Sequence, residues 1–297
     1  MTDLITARGL TKRYNGTAVL DDVSLSVSAG CVTGFVGANG AGKTTTIRAL
    51  MGLMEVDAGE VVVFGEPFGP RADDACARRL KERIGVVFDT CPFIGDLPVK
   101  TAGVLMRASY PSWDQRCFDG LLARFALDPA KKIKDLSRGM GMKLQLACAL
   151  AHDPDLLILD EATAGLDPLA REEALDILRG YMRDERHGIL MSSHITSDLE
   201  KIADYIVCID AGRIVFAVEK DTITDLAGIA HCRATDYERI AESGFFAPGE
   251  LRSMRHPYGI DVLAPDRFAF AENFKNIPVD KADIDVYMGM MLKGEVR

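Results

Sequence analysis

The sequence predicts an α/β fold around a parallel sheet, and three observations carry that prediction. From Asp155 onward the apolar runs LLILDE and GILMSSH alternate with the helical stretches PLAREEALDILRGYMRDE and SDLEKIA. That is the rhythm of a parallel sheet whose strands are buried on both faces. A Gly-rich stretch, GANGAGKTT, stands between the strand pattern CVTGFVG and the helical pattern KTTTIRALMGLM. Between Asp96 and Leu150 strand signals fade, and Phe118, Leu121, Leu122 and Phe125 recur at helical spacing.

Taken in order, residues Leu4 to Val36 form a β-rich opening: AVLDDVSLSV alternates, and Asn15-Gly16 is a strong turn signal. VVVFG and IGVVFD are the next strands. Pro98, Pro111 and Pro129 break the stretch of about 96–150, which reads as an inserted helical subdomain. The hairpin YIVCIDAGRIVFAV closes a core domain over residues 1–220. Beyond it only DIDVYMGMMLKGE is clearly periodic, through Ile284, Tyr287, Met288, Met291 and Leu292. Residues 221–297 are expected to form a small C-terminal α/β appendage, its methionines serving core packing rather than a partner surface.

A chain of 297 residues with 48% hydrophobic content can bury a sizeable core. No run approaches the ~18 apolar residues of a membrane span, and Met1 to Leu10 lack the features of a secretory leader. The reading is a soluble protein whose membrane role needs another chain. A net charge of −9 offers no basic field for a phosphate backbone and disfavours nucleic acid as a partner. Seven scattered cysteines without C-x-x-C spacing suggest neither a disulfide framework nor a zinc site, and so a reducing, cytoplasmic compartment. His152, His187, His231 and His256 match no motif and read as surface or packing residues.

GANGAGKTT, Gly37 to Thr45, fits G-x-x-x-x-G-K-[ST] between a strand and a helix. Gly37, Ala38, Asn39, Gly40, Ala41 and Gly42 would wrap backbone N–H groups around phosphates. Lys43 would bring charge to the β and γ groups, and the Thr44 hydroxyl, with Thr45 beside it, would meet magnesium. LLILDE delivers Asp160 and Glu161 to the C-terminal end of a strand, where α/β sheets bind ligands. Asp160 would hold magnesium, directly or through water, and Glu161 would polarise the water that attacks the γ-phosphate. In DLSRGMGMKLQLACAL a helix opens at Ser137, with Met140 where a capping box places Glu or Gln. Such a helix end can receive an anion; an ordinary serine cap is the competing reading.

The phosphate loop, LSRGM, LLILDE, AGLD and SSH stand in the order of the ABC-transporter nucleotide-binding domain, which residues 2–220 resemble. The resemblance implies a P-loop NTPase core of ABC type that binds ATP and Mg2+. LSRGM resembles the family signature, so Ser137 and Gly139 would serve ATP held by a second copy of the domain. Tyr14 matches the aromatic that stacks on adenine, and His194 the switch histidine that contacts the γ-phosphate. Asp167, in AGLD, matches the D-loop acid and also suits an N-cap for the helix starting at Pro168.

This chain departs from the family in two places. Asp89 stands where the family usually has Gln, a shorter and charged arm that still reaches a metal-bound water. Arg138 and Met140 replace a Gly and a Gln of the signature. One loop and one signature per chain imply a head-to-tail dimer of this chain or with a related one. The resemblance also implies separate transmembrane permease subunits, docked near the segment after Asp89 and on the helical subdomain, with this chain peripheral on the inner face of the membrane. Asp89 with LSRGM most resembles the ATP-binding subunits of bacterial multidrug or peptide-antibiotic exporters. The competing readings are a soluble ABC ATPase outside transport and a nucleotide-dependent regulatory module. The lack of a second cassette or coiled-coil insert disfavours the first, and the presence of Glu161 the second.

Overall fold

The computed structural model describes residues 2–70 and 73–297. They divide into two compact units, one made of residues 1–203 with 209–214, the other of 204–208 with 215–297.

In the first unit, β1 (Asp3–Tyr14) and β2 (Thr17–Ser28) meet through Asn15 and Gly16. Their φ values of 48° and 83° are the left-handed pair that a tight hairpin matched to strand twist requires. β3 (Val32–Val36) follows, then α1 (Lys43–Leu50). KTTTIRALMGLM suggests a longer helix, but α1 stops at Leu50, and Gly52 takes the left-handed backbone that ends it (φ 64°). β4 (Ala58–Val63) pairs antiparallel with β1 and turns into β5 (Glu66–Pro67). The sequence reading missed α2 (Asp74–Lys81), which Asp73 caps by accepting from the Cys76 N–H.

β6 (Ile84–Val87) precedes the helical segment of α3 (Val99–Ser109), α4 (Gln115–Arg124), a short 3-10 turn at Ile133–Asp135 and α5 (Arg138–Leu150). Then come β7 (Leu156–Asp160), α6 (Pro168–Tyr181), β8 (Gly188–Ser192) and α7 (Thr196–Ile202). β3, β8, β7 and β6 lie side by side in that order, all parallel. Every residue of β3, β7 and β8 is buried, as strands covered on both faces must be. The register sets Ser192 opposite both Phe35 and Asp160, so the three strands finish level with one another. β9 (Tyr205–Asp210) and β10 (Arg213–Glu219) form the expected hairpin, turning through Ala211 and Gly212 at φ 45° and 76°.

The second unit continues from a π-helical turn at Thr222–Leu226 into β11 (Gly228–Cys232), α8 (Ala234–Glu242), β12 (Arg252–His256) and β13 (Gly259–Ala264). It ends with α9 (Arg267–Asn273), β14 (Val279–Lys281), α10 (Ile284–Lys293) and β15 (Glu295–Val296). The antiparallel sheet runs β14-β11-β13-β12-β15. Up to β14 this is a β-α-β-β-α-β chain with the strand order of the ferredoxin-like motif. Tyr237 and Ile240 of α8 and Phe270 of α9 pack with Ala230, Val262 and Ala264. Met290 of α10, with Tyr287 and Met291 against it, packs instead with Ile229 and Leu263. β-strand residues alternate faces, so each face of the sheet has its own helical cover, and the methionine-rich helix serves the core. No helix among the described residues is long and apolar enough to cross a membrane.

Candidate functional site

Gly37 to Gly42 make the turn from β3 into α1. Packing demands glycine at 37, because a Cβ there would stand 2.3 Å from the Ile209 carbonyl oxygen. Ala38, Asn39 and Gly40 are exposed at the tip, and the Ala41 N–H closes the turn onto Ala38 O at 3.1 Å. Gly42 is the N-cap of α1, with φ 118° and no side chain to engage the first-turn N–H groups. Spare donors and the positive end of the helix dipole together receive an anion, and Lys43, Thr44 and Thr45 ride on that turn. Lys43 is only 7% exposed. Its Nζ donates to Gly37 O at 2.7 Å and Ala38 O at 3.3 Å, and lies 3.9 Å from Glu161 Oε1. An ammonium held by neutral carbonyls inside its own loop is matched to a polyphosphate entering there.

Asp160, the last residue of β7, is buried. Ser192 Oγ donates to Asp160 Oδ1 at 2.7 Å and accepts from the Glu161 N–H at 3.2 Å. Glu161 then leaves the strand with φ 55°. A left-handed backbone is costly for a residue bearing a Cβ and is characteristic of functional turns. Its carboxylate accepts from the His194 N–H at 3.3 Å, and His194 Nδ1 is hydrogen-bonded to the same oxygen. Lys43, Asp160, Glu161 and His194 are thereby joined by direct contacts or through Ser192.

The parallel register pairs Val87, the last residue of β6, with Leu159, so continuing it by one residue sets Phe88 level with Asp160, and Asp89 follows where the chain leaves the sheet. Asp89, Thr44 and Asp160 offer only oxygen donors, the set that suits Mg2+. Among the described residues no three His, Cys, Asp or Glu side chains can hold a metal by themselves.

Tyr14, half exposed, stands at the tip of the β1–β2 hairpin, with Lys12 Nζ 5.6 Å from its ring centre. The hairpin lies over the phosphate loop: a Cβ on Gly42 would be 3.2 Å from Val19 O. Ser137 is exposed and caps α5, its Oγ accepting from the Met140 N–H at 3.2 Å. The serine-cap reading therefore holds in this structure. A Cβ on Gly139 would stand 3.1 Å from Gly165 O and 3.2 Å from Leu166. The signature turn thus packs against the loop that carries Asp167. Asp167 Oδ1 accepts from the Leu169 and Ala170 N–H groups, and these bonds hold its carboxyl below the usual aspartate range. Ser137 and Asp167 are both exposed, and Gly139 lies against the loop that leads to Asp167.

Two residues escaped the sequence reading. Ser192 was quoted only as part of SSH. Gln145, 2% exposed, joins its side-chain amide to the backbone of Phe88. Its signal was a polar residue on a helical stripe shared with Cys148 and Ala149.

The parallel sheet, the glycine loop opening α1 and the acids at the strand ends define a P-loop nucleoside triphosphatase. A family model described as ABC transporter matches residues 20–164. The bacitracin transport ATP-binding protein BcrA of Bacillus licheniformis is 32% identical over 223 residues, covering 74% of this chain and 71% of that one. The Nod factor export ATP-binding protein I of Burkholderia orbicola is 37% identical over 213 residues, 69% of this chain and 67% of that one. Among solved structures, a dimeric post-hydrolysis state of an ATP-binding cassette, bound to ADP and Pi, superposes with a TM-score of 0.66 at 20% identity. It covers 72% of this chain and 98% of that chain. The chain belongs to the ABC transporter family: it is an ATP-binding subunit and an ATPase, homologous to exporter subunits.

Proposed function

We propose that two copies of this subunit, or this subunit and a related one, clasp ATP between them and hydrolyse it to drive separate membrane permease subunits in export. The observation that carries the proposal is the grip on Glu161, whose carboxylate lies 3.9 Å from the Lys43 ammonium and is hydrogen-bonded to His194. A base, a phosphate cation and an imidazole on one carboxylate form the equipment for attack on a γ-phosphate.

In this reading Lys43 and the first turn of α1 hold the β and γ phosphates, and Tyr14 stacks on the adenine. Mg2+, held by Thr44, Asp160 and Asp89, would neutralise charge on the phosphate oxygens. Glu161 accepts the proton of the attacking water while His194 orients it. Ser137 and Gly139, at an exposed helix end beside Asp167, cover the γ-phosphate of the partner's nucleotide. The family match over residues 20–164 supports the nucleotide handling, and a cassette of the same fold that is dimeric with ADP and Pi bound supports the pairing of two copies.

A cavity of about 260 Å³ beside the Asp89 segment supports the permease seat. It is lined by Met51, Leu53, Phe88, Phe93, Met106 and Tyr110. Leu53, Ile94 and Val104, on the same segments, are exposed apolar residues that a docked permease would cover. The subunit would then sit in the cytoplasm, peripheral on the inner membrane face.

The test is Glu161→Gln. ATP binding should persist, hydrolysis should stall, and an ATP-bound dimer should accumulate in sizing experiments. Turnover at the parent rate overturns the assignment of the base, and a strictly monomeric ATP-bound variant overturns the shared grip.

A further inference from the structure

The segment that carries Asp89 is fastened to α5 at two places. Gln145 Nε2 donates to Phe88 O at 3.1 Å, and the Phe88 N–H donates to Gln145 Oε1 at 3.0 Å. One amide therefore occupies both polar groups of the residue before Asp89. Further along, Cys91 Cβ lies 3.5 Å from the position a Cβ on Gly141 would take, so the segment rests on α5 one turn before Gln145. The bonds join residues 57 apart in sequence and are made by a side chain that is 2% exposed. Paired hydrogen bonds made by a buried side chain cost free energy to break, because each orphaned group loses its partner.

Asp89 needs that restraint. An aspartate places its carboxylate only one methylene from the backbone and has little reach to correct a misplaced chain. A group that must meet a metal or its water has to be set to within about 0.5 Å. A fixed Phe88, level with Asp160 on the neighbouring strand, supplies the setting.

We propose that Gln145 is the positioning residue for Asp89. One amide locks the metal-side carboxylate to the same helix that presents Ser137 to the partner's nucleotide, so that the two contacts keep a fixed geometry. The inference rests on the reading of Asp89 given under the proposed function, and its experiment separates the two.

The measurements are hydrogen exchange at the Phe88 amide and the Mg2+ concentration that half-saturates ATP hydrolysis at saturating ATP, both in the full chain. Gln145→Ala should speed Phe88 exchange about tenfold, the effect of losing one buried hydrogen bond, and raise the half-saturating Mg2+ severalfold. Gln145→Glu keeps the acceptor for the Phe88 N–H but loses the donor, so it should fall between parent and Ala; it also serves if the Ala variant folds poorly. Asp89→Ala should raise the Mg2+ requirement by itself, and Gln145→Ala should add nothing further in that background, since coupled residues are not additive. A purely structural Gln145 predicts additive effects, and additivity overturns the proposal, as does unchanged exchange at Phe88. If Asp89→Ala leaves the Mg2+ requirement unaltered, the reading of Asp89 fails and the positioning role with it. If Asp89→Ala raises the requirement and Gln145→Ala does not, the positioning role alone is overturned.

Discussion

Ser192 Oγ donates to Asp160 at 2.7 Å while accepting from the backbone N–H of Glu161 at 3.2 Å, so a single buried hydroxyl serves two neighbouring acids. A hydroxyl has one proton to give and lone pairs to receive with, and here both capacities are in use. Ser192→Ala leaves a buried carboxylate short of a donor, at a cost of about 1–3 kcal/mol. If that cost falls on the transition state, kcat drops roughly tenfold to a hundredfold. ATP affinity should hold, because Lys43 and the α1 turn are untouched. Steady-state kinetics beside a nucleotide titration check this; parent kcat would show that the hydroxyl is not needed.

Ser137→Arg should leave ATP binding by the single chain intact, since Ser137 caps α5 and the phosphate loop opens α1. A bulky cation at that exposed turn should block ATP-driven dimer formation, read by light scattering with and without ATP. The shared grip is falsified if the dimer forms normally.

Gly37→Ala tests the loop's packing. Its new methyl group would meet the Ile209 carbonyl at 2.3 Å, and overpacking of this kind costs roughly 1–3 kcal/mol. Differential scanning calorimetry should show a Tm lower by roughly 3 °C or more, with weakened ATP binding. An unchanged Tm and affinity would mean that the loop relaxes freely.

The two units should respond to pH with opposite sign. His231 is hydrogen-bonded to Asp261 at 2.7 Å, with Asp280 at 3.3 Å, and these carboxylates raise its pKa above the ordinary 6.5. A base with a raised folded pKa adds stability that is fully present below its ordinary pKa and is lost as pH rises through the folded value. His152 is buried against the Tyr110 ring, and burial lowers its pKa. Its contribution is present above the ordinary value and is lost as pH falls. Trp113 fluorescence, from the single tryptophan, reports the first unit, and amide exchange in β11 reports the second. From pH 8 to 6 the first should weaken and the second strengthen. Asp261→Asn should flatten the second trend; parallel trends in both units would refute the assignment.

The sequence made the first unit legible because its elements carry their own signals. Asn15-Gly16 marks a hairpin, GANGAGKTT marks a turn that only small residues can make, and LLILDE and GILMSSH are too apolar for any place but the sheet centre. α2 escaped because its residues are mostly exposed, leaving Asp73 as the main cue. Beyond the β9–β10 hairpin, the second unit was legible only at α10. Its strands from β11 on, of three to six residues apart from two-residue β15, give too few alternations to register, and their pairing joins distant residues such as His231 and Asp261. At the site, motif spacing pointed to Lys43, Asp160, Glu161 and His194, but Ser192 and Gln145 act through contacts that tertiary packing alone creates.

Glu161 holds its place on a backbone that most side chains avoid, φ 55°, a burden of about 1–3 kcal/mol. Glycine would relieve that burden at once. Breeding this subunit for heat resistance alone would therefore reward discarding the carboxylate proposed to activate the attacking water, and a hardier protein recovered from such a search should be checked first for having become inert.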